Sequence, residues 1–266
     1  MARLEAQQVA VDAELLPVLQ QGLFTVLDLD DHPTCCGFFV RESGVALTVN
    51  HDFERWIRPG GIVHAVMLRK PGGGGDAALP GEVLLEFTVH SSSPQDALDY
   101  TCLILTTAVP AGIFHPLPLP PGELTESQLT GAHATLLHGS IALNRFFNFK
   151  PSASLVPCTI FTTQSDRVLY TAATAGDDSG GALILHGKVL VAMHVEGLND
   201  VPGDVEFNSP RTGKRPAKRL RLSEASPSTT GAALRLDLPA VQAAVAAAHA
   251  AARAAVQLPA AGGACA

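Results

Sequence analysis

The feature that most constrains this chain is a succession of short apolar runs, each about as long as one β-strand and none long enough to span a membrane. In the first half they cover 23–29, 37–49, 62–68, 83–90 and 101–106; in the second, 134–142, 155–163, 167–172, 182–195 and 232–236. Gly and Pro punctuate the gaps, as they do between strands. Arg41-Glu-Ser-Gly44 reads as a hairpin turn. The Pro-rich stretch 116–121 separates the two sets and is expected to run extended, as a linker. Helical periodicity is clear only near the end. There Leu238, Val241, Val245, Ala248, Ala252 and Val256 mark one face, with Asp237 as N-cap and Pro239 in the first turn.

This pattern predicts an all-β chain of two packed antiparallel β-barrels with a C-terminal α-helix. The expected boundaries are an N-terminal helical arm (1–22), a first barrel (23–115), the linker (116–126), a second barrel (127–236), the helix (237–257) and a tail (258–266). Apolar residues make up 47% of the 266 but aromatics only 5%, so the core must come mostly from Leu, Val, Ile and Ala.

The net charge of −7 excludes a surface that is a nucleic-acid footprint as a whole. Yet Arg211, Lys214, Arg215, Lys218, Arg219 and Arg221 crowd into one stretch, leaving the remainder more acidic than the total suggests. The 5 cysteines are odd in number, Cys35 and Cys36 are adjacent, and no Cys-x-x-Cys occurs, so neither a disulfide framework nor a metal site is expected. Cys35 and Cys36 are placed before the first barrel hairpin, as candidates for oxidation, and Cys102 in the core. The N-terminus lacks a signal-peptide layout, so the expected location is intracellular, nucleus or cytoplasm. Gly72–Gly75 lack the Lys-Ser/Thr pair of a phosphate cradle.

The most informative segment is Gly176-Asp-Asp-Ser-Gly-Gly181. Glycines after a Ser allow a tight turn that exposes the hydroxyl and converges backbone N–H groups on a developing oxyanion. The segment resembles the nucleophile loop of trypsin-like (chymotrypsin-fold) serine proteases. The resemblance extends upstream in the order such a site requires. Residues 38–51 (FFVRESGVALTVNH) resemble the family's segment ending in the general base, which implies that role for His51. Residues 99–105 (DYTCLIL) resemble the segment whose Asp orients the imidazole, which implies that role for Asp99. Asp52 and Asp96 are competing carboxylates, but neither opens an apolar strand.

The resemblance implies a serine endopeptidase with His51, Asp99 and Ser179 as triad, and the N–H groups of Asp177, Asp178 and Ser179 as oxyanion hole. No cofactor is implied, and the partners are protein or peptide substrates. Two departures stand out. The family normally has Gly where this chain has Asp177, and the resemblance implies a carboxylate brought close to the developing negative charge unless it turns away. Asp178 occupies the position that pairs with a newly cut N-terminus in trypsin zymogens, yet no Arg-Ile-Val-Gly-Gly segment occurs, so the protein would be active as made.

Residues 192–197 (AMHVEG) resemble the pocket strand of glutamyl endopeptidases and picornaviral chymotrypsin-like proteases. That likeness implies that His194 and Thr174 face a P1 Glu or Gln, and that Val195, Glu196 and Gly197 pair with the substrate backbone. Ala173, where trypsin has its pocket Asp, argues against cleavage after Lys or Arg. The remaining histidines (His32, His64, His90, His115, His133, His138, His186 and His249) show no ligand spacing and are expected on the surface or in loops.

Residues 199–231 form an insertion beside the substrate strand, and Lys214-Arg-Pro-Ala-Lys-Arg-Leu-Arg221 resembles a nuclear localisation signal. Importin, nucleic acid or an acidic protein are its candidate partners; no membrane partner is expected. Two other readings stay open: a pseudoprotease that binds peptides in the same cleft, resting on Asp177, and an adaptor acting through the basic stretch.

Overall fold

The computed structural model describes residues 21–52, 58–68, 82–94, 96–109, 112–140, 152–174, 178–186, 189–198 and 228–257. Residues 1–20 of the helical arm expected at 1–22, the Gly72–Gly75 loop, the basic stretch and the tail fall outside the described residues.

The apolar runs of the first half become β1 (Leu23–Leu27), β2 (Pro33–Phe39), β3 (Val45–Thr48), β4 (Ile62–Leu68), β5 (Glu82–Ser93) and β6 (Tyr100–Leu105). A one-turn helix, α1 (Glu126–Leu129), leads into β7 (His133–Ser140), β8 (Ser152–Gln164), β9 (Arg167–Thr174), β10 (Ala182–Leu185), β11 (Val189–Leu198) and β12 (Ser228–Arg235). The chain ends in α2 (Pro239–Gln257). Two closed antiparallel barrels result, in the orders β1-β2-β3-β6-β5-β4 and β10-β11-β12-β9-β8-β7. Read in the opposite sense, the second ring repeats the strand order of the first. Closure leaves each strand paired on both sides, which removes the exposed edges of an open sheet.

The Arg41–Gly44 turn forms as the sequence predicts: the Val40 N–H donates to the Val45 carbonyl at 2.8 Å, and Gly44 takes a φ of 81°. Inside the first barrel Phe24, Phe39 and Phe87 pack ring against ring, 4.8 to 5.7 Å apart. One apolar cluster continues from this core across the seam to Leu137, Ala182 and Met193 of the second barrel. The seam is therefore a packed interior, and each fully buried aliphatic side chain in it stabilises the fold by about 1.5–3 kcal/mol.

Several expectations change in detail. The Pro-rich linker is extended, but Leu117 and Leu119 are buried in the core, and the Leu117 N–H donates to the Phe39 carbonyl at 2.7 Å. Leu alternating with Pro gives a strand-like segment one apolar face, and that face finds the barrel. Asp237 is not the helix N-cap. Its carboxylate grips the Arg235 guanidinium (Oδ2–Nη2 2.6 Å, Oδ1–Nε 3.0 Å) and accepts the Leu124 N–H at 2.6 Å. Leu238 holds the cap position instead, its carbonyl accepting the Gln242 N–H. A buried bidentate partner outcompetes a terminal N–H for the carboxylate. The buried face of α2 is the one its periodicity marks, with Val241, Val245, Ala248 and Ala252 packed onto the first barrel.

Strand β12 starts at Ser228, earlier than apolar content suggests, because β9 and β11 supply partners on both sides for the polar Ser-Thr-Thr-Gly residues. Likewise β2 starts at Pro33, so Cys35 and Cys36 lie within a strand and are buried. Burial, aided by the charge of Asp52, pushes the Cys35 thiol well above its ordinary pKa, which suppresses the reactive thiolate. Cys102 is in the core as expected, and burial raises its pKa to about 12.

Candidate active site

The three residues expected to carry chemistry sit where the barrels meet. His51 follows β3, Asp99 precedes β6, and these two strands are hydrogen-bonded neighbours in register (Thr48 opposite Thr101). Asp99 is 3% exposed and adopts a φ of 57°, a left-handed conformation that is strained for a non-glycine residue. That backbone turns its carboxylate back across the strand end. Oδ1 accepts the N–H groups of Asn50 (3.1 Å) and His51 (2.9 Å), and Oδ2 accepts from His51 Nδ1 at 2.8 Å. Asn50 is itself held, its side-chain oxygen accepting the Thr101 hydroxyl at 3.0 Å. With Nδ1 occupied as donor, the basic lone pair of His51 resides on Nε2. Asp52, the competing carboxylate, places Oδ2 3.5 Å from that Nε2, while Asp96 makes no described contact with His51.

Ser179 approaches from the second barrel. Its carbonyl accepts the N–H of Cys36 at 2.7 Å, tying the turn directly to β2 of the first barrel. Gly180 follows with a φ of 83°, and a Cβ there would lie 1.9 Å from the Cys36 carbonyl oxygen. Only glycine meets both demands. The Gly180 N–H donates to the His194 carbonyl at 2.8 Å, and the His194 N–H donates to the Gly181 carbonyl at 2.8 Å, so the turn is also stitched to β11. Ser179 and Asp178 are both buried, whereas Asp177 lies outside the described residues.

Of the residues expected to form a specificity pocket, His194 and Thr174 are 1% and 4% exposed. Nδ1 of His194 lies 2.7 Å from the Tyr170 hydroxyl. Burial pushes the Tyr170 phenol well above its ordinary pKa, so it remains an O–H donor. Desolvation lowers the His194 pKa to about 4, partly opposed by the charge of Asp178 and by the Ala232 carbonyl, and reinforced by His138 and His51. The ring is a neutral imidazole near pH 7. The Thr174 hydroxyl is buried with no hydrogen-bond partner among the described residues, a costly state unless a ligand completes it. Ala173 occupies the penultimate position of β9. Val195 is buried, and a register shift between His194 and Glu196 re-aims β11 as it leaves its pairing with β10. Glu196 and Gly197 pair with β12, at Ala232 and Gly231.

Two residues here were not singled out from the sequence. Tyr170 lies opposite Gly231, where any Cβ would come within 2.6 Å of its ring, so a large and an absent side chain fit together across the strands. His138, assigned to the surface or a loop, is instead a half-buried β7 residue whose Nδ1 lies 2.5 Å from Asp178 Oδ1. The other described histidines are partly or fully exposed. Among the described residues one cluster, Asp28, Asp30 and His32, has metal-ligand spacing; it lies in the β1–β2 turn, away from this seam, and Asp28 is engaged in capping that turn. No helix among the described residues is long and apolar enough to cross a membrane.

No protein-family model matches the sequence, and no curated protein matches it significantly. Solved structures do match. The crystal structure of Deg5 superposes with a TM-score of 0.52 at 10% identity, covering 70% of this chain and 85% of that one. Kallikrein-related peptidase 10 superposes with a TM-score of 0.51 at 15% identity, covering 82% and 91%. Both are trypsin-like serine proteases, and the two six-stranded barrels of this chain fit their fold. The chain has the chymotrypsin fold.

Proposed function

We propose that the protein is a serine endopeptidase. His51, oriented by Asp99, takes the proton from the Ser179 hydroxyl as the oxygen attacks a peptide carbonyl. Backbone N–H groups of residues 177–179 stabilise the oxyanion, His51 returns the proton to the leaving amine, and water then hydrolyses the acyl-enzyme. The observation that carries this reading is the 2.8 Å contact between His51 Nδ1 and Asp99 Oδ2, at a seam where the Ser179 carbonyl is bonded to the opposite barrel.

The proposed P1 preference is Glu or Gln, and the chemistry of the pocket favours Gln. With Tyr170 donating to Nδ1, the His194 proton resides on Nε2. A neutral N–H donor and the Thr174 hydroxyl suit an uncharged side-chain carbonyl better than a carboxylate. Substrate backbone would add along Val195–Gly197, where β11 extends beyond its partner β10.

A second reading, a pseudoprotease that binds peptides without cutting them, is favoured by Asp52, which stands 3.5 Å from the nitrogen that must serve Ser179. The basic stretch adds to either reading a proposed contact with importin, nucleic acid or an acidic protein, tested by deleting 211–221.

A peptide library incubated with the protein and with Ser179→Ala separates the two readings. Cleavage that requires Ser179 and enriches Gln or Glu at P1 is expected. Retention of peptides with no cleavage would establish the second reading instead.

A further inference from the structure

Asp52 stands at the opposite nitrogen of the proposed base from Asp99. Its Oδ2 is 3.5 Å from His51 Nε2, longer than a charge-assisted hydrogen bond but well within reach of a carboxylate's charge. Asp99 contacts Nδ1 at 2.8 Å, so the imidazole lies between two carboxylates. A second negative charge so close favours the imidazolium over the neutral ring that must accept a proton from Ser179. The other titratable groups described around the ring do not offset it. His194 on β11 is neutral, and Cys35 on β2 is a thiol kept protonated by burial and by Asp52 itself.

A cation brought against Asp52 would remove that hold on the ring. The His51 side chain is 3% exposed and that of Asp52 23%, so a charged group arriving from the cleft reaches the carboxylate before the imidazole. Its direction of arrival follows from how the Ser179 turn is suspended. On one side the Gly180 N–H donates to the His194 carbonyl of β11; on the other the Cys36 N–H of β2 donates to the Ser179 carbonyl. Asp52 lies on the β2 side, where its charge is felt by Cys35. The proposed P1 pocket is on the β11 side, so a peptide passes Asp52 with the residues that follow the scissile bond.

We infer that Asp52 selects peptides with Lys or Arg just after the scissile bond, and that the ion pair formed there frees His51 to act as base. The direction of the peptide is taken from the protease reading; the pairing itself needs only that a peptide occupies the cleft. Glu196, partly exposed on β11, is the competing carboxylate for a cationic side chain.

Two peptides that differ only in Lys or Ala after a P1 Gln test this. Their binding is followed by fluorescence anisotropy on the full chain with Ser179→Ala, alone and combined with Asp52→Asn; Asp52→Ser serves if the Asn variant does not fold. The Lys peptide should bind Ser179→Ala about fivefold more tightly than the Ala peptide, and the double variant should bind both alike. NMR titration of the His51 imidazole, assigned by its loss in His51→Ala, should show a midpoint about one pH unit lower in Asp52→Asn. Saturating Lys peptide should lower the midpoint in the same direction in Ser179→Ala, and the Ala peptide should leave it in place. Equal affinities in Ser179→Ala, or a His51 midpoint that Asp52→Asn does not move, overturn the inference. A Lys preference that survives Asp52→Asn overturns it too, and points to Glu196. A preference that depends on Asp52 in a protein whose native chain cuts neither peptide upholds the inference and rejects the protease reading.

Discussion

The backbone N–H of Cys36 in the first barrel donates to the carbonyl of Ser179 in the second, at 2.7 Å. The proposed nucleophile is thus held by the opposite barrel, and the next residue, Gly180, must pass within contact of the Cys36 carbonyl. Gly180→Ala meets both a positive φ and an overlap with fixed backbone, whereas Gly131→Ala meets a positive φ of 79° with nothing within 4 Å. Chemical denaturation should show a loss of about 1 kcal/mol for Gly131→Ala and about 3 kcal/mol or more for Gly180→Ala. Equal losses would mean that the seam is looser than its geometry implies.

Asp99→Asn keeps the shape of the side chain but replaces one acceptor oxygen by a donor. Both oxygens of Asp99 accept hydrogen bonds, so one of these contacts becomes donor against donor. The imidazole then loses the partner that keeps its proton on Nδ1. Peptide hydrolysis should fall about 10⁴-fold in kcat, with KM little changed. A loss below tenfold would show that Asp52, beside Nε2, carries the orienting role instead.

Tyr170→Phe removes the hydroxyl that fixes the tautomer of His194. For a substrate with Gln at P1, kcat/KM should drop about tenfold, the size of one buried hydrogen bond. The rate of fluorophosphonate labelling, which does not use the pocket, should stay the same. If both change together, Tyr170 supports the fold of the site rather than its selectivity.

Which parts of this were legible in the sequence follows from what each depends on. The strands could be read because short apolar runs and turn residues are local properties, and the Ser179 turn because its glycines adjoin it. The order His51, Asp99, Ser179 was readable only through the resemblance. What escaped depends on register between distant strands. Nothing local to His138 marks it as the partner of Asp178, since that contact exists only once β7 pairs with β10. Tyr170 became interpretable only opposite Gly231. Asp237 looked like a cap because Arg235 and Leu124 were not known to compete for it, and Ser228–Gly231 looked like loop because their ladder partners lie on β9 and β11. The one-turn helix α1 could have been found from Thr125 and Gln128: the Gln128 side chain accepts the Thr125 N–H at 2.8 Å, half of a capping box.

The depressed pKa of His194 makes stability depend on pH. The unfolded chain binds a proton on this residue near 6.5, the folded chain only near 4. Between those values the unfolded state holds more protons, so stability is full above about 6.5 and falls as the pH drops toward 4, by up to about 3 kcal/mol. Urea unfolding at pH 7 and pH 4.5 measures this. His194→Gln, which keeps an acceptor for Tyr170 but does not titrate, should lose about 2 kcal/mol less across the same interval. An identical loss in both proteins would place the acid sensitivity elsewhere.

The central claim is that Ser179 is a nucleophile activated by His51. The most direct measurement is to treat the full chain with a fluorophosphonate and locate the adduct by mass spectrometry of proteolytic fragments, with His51→Ala and Ser179→Ala alongside. A single adduct on Ser179, absent from both variants, is the predicted result. No adduct on the native chain, or one that persists when His51 is removed, would contradict it.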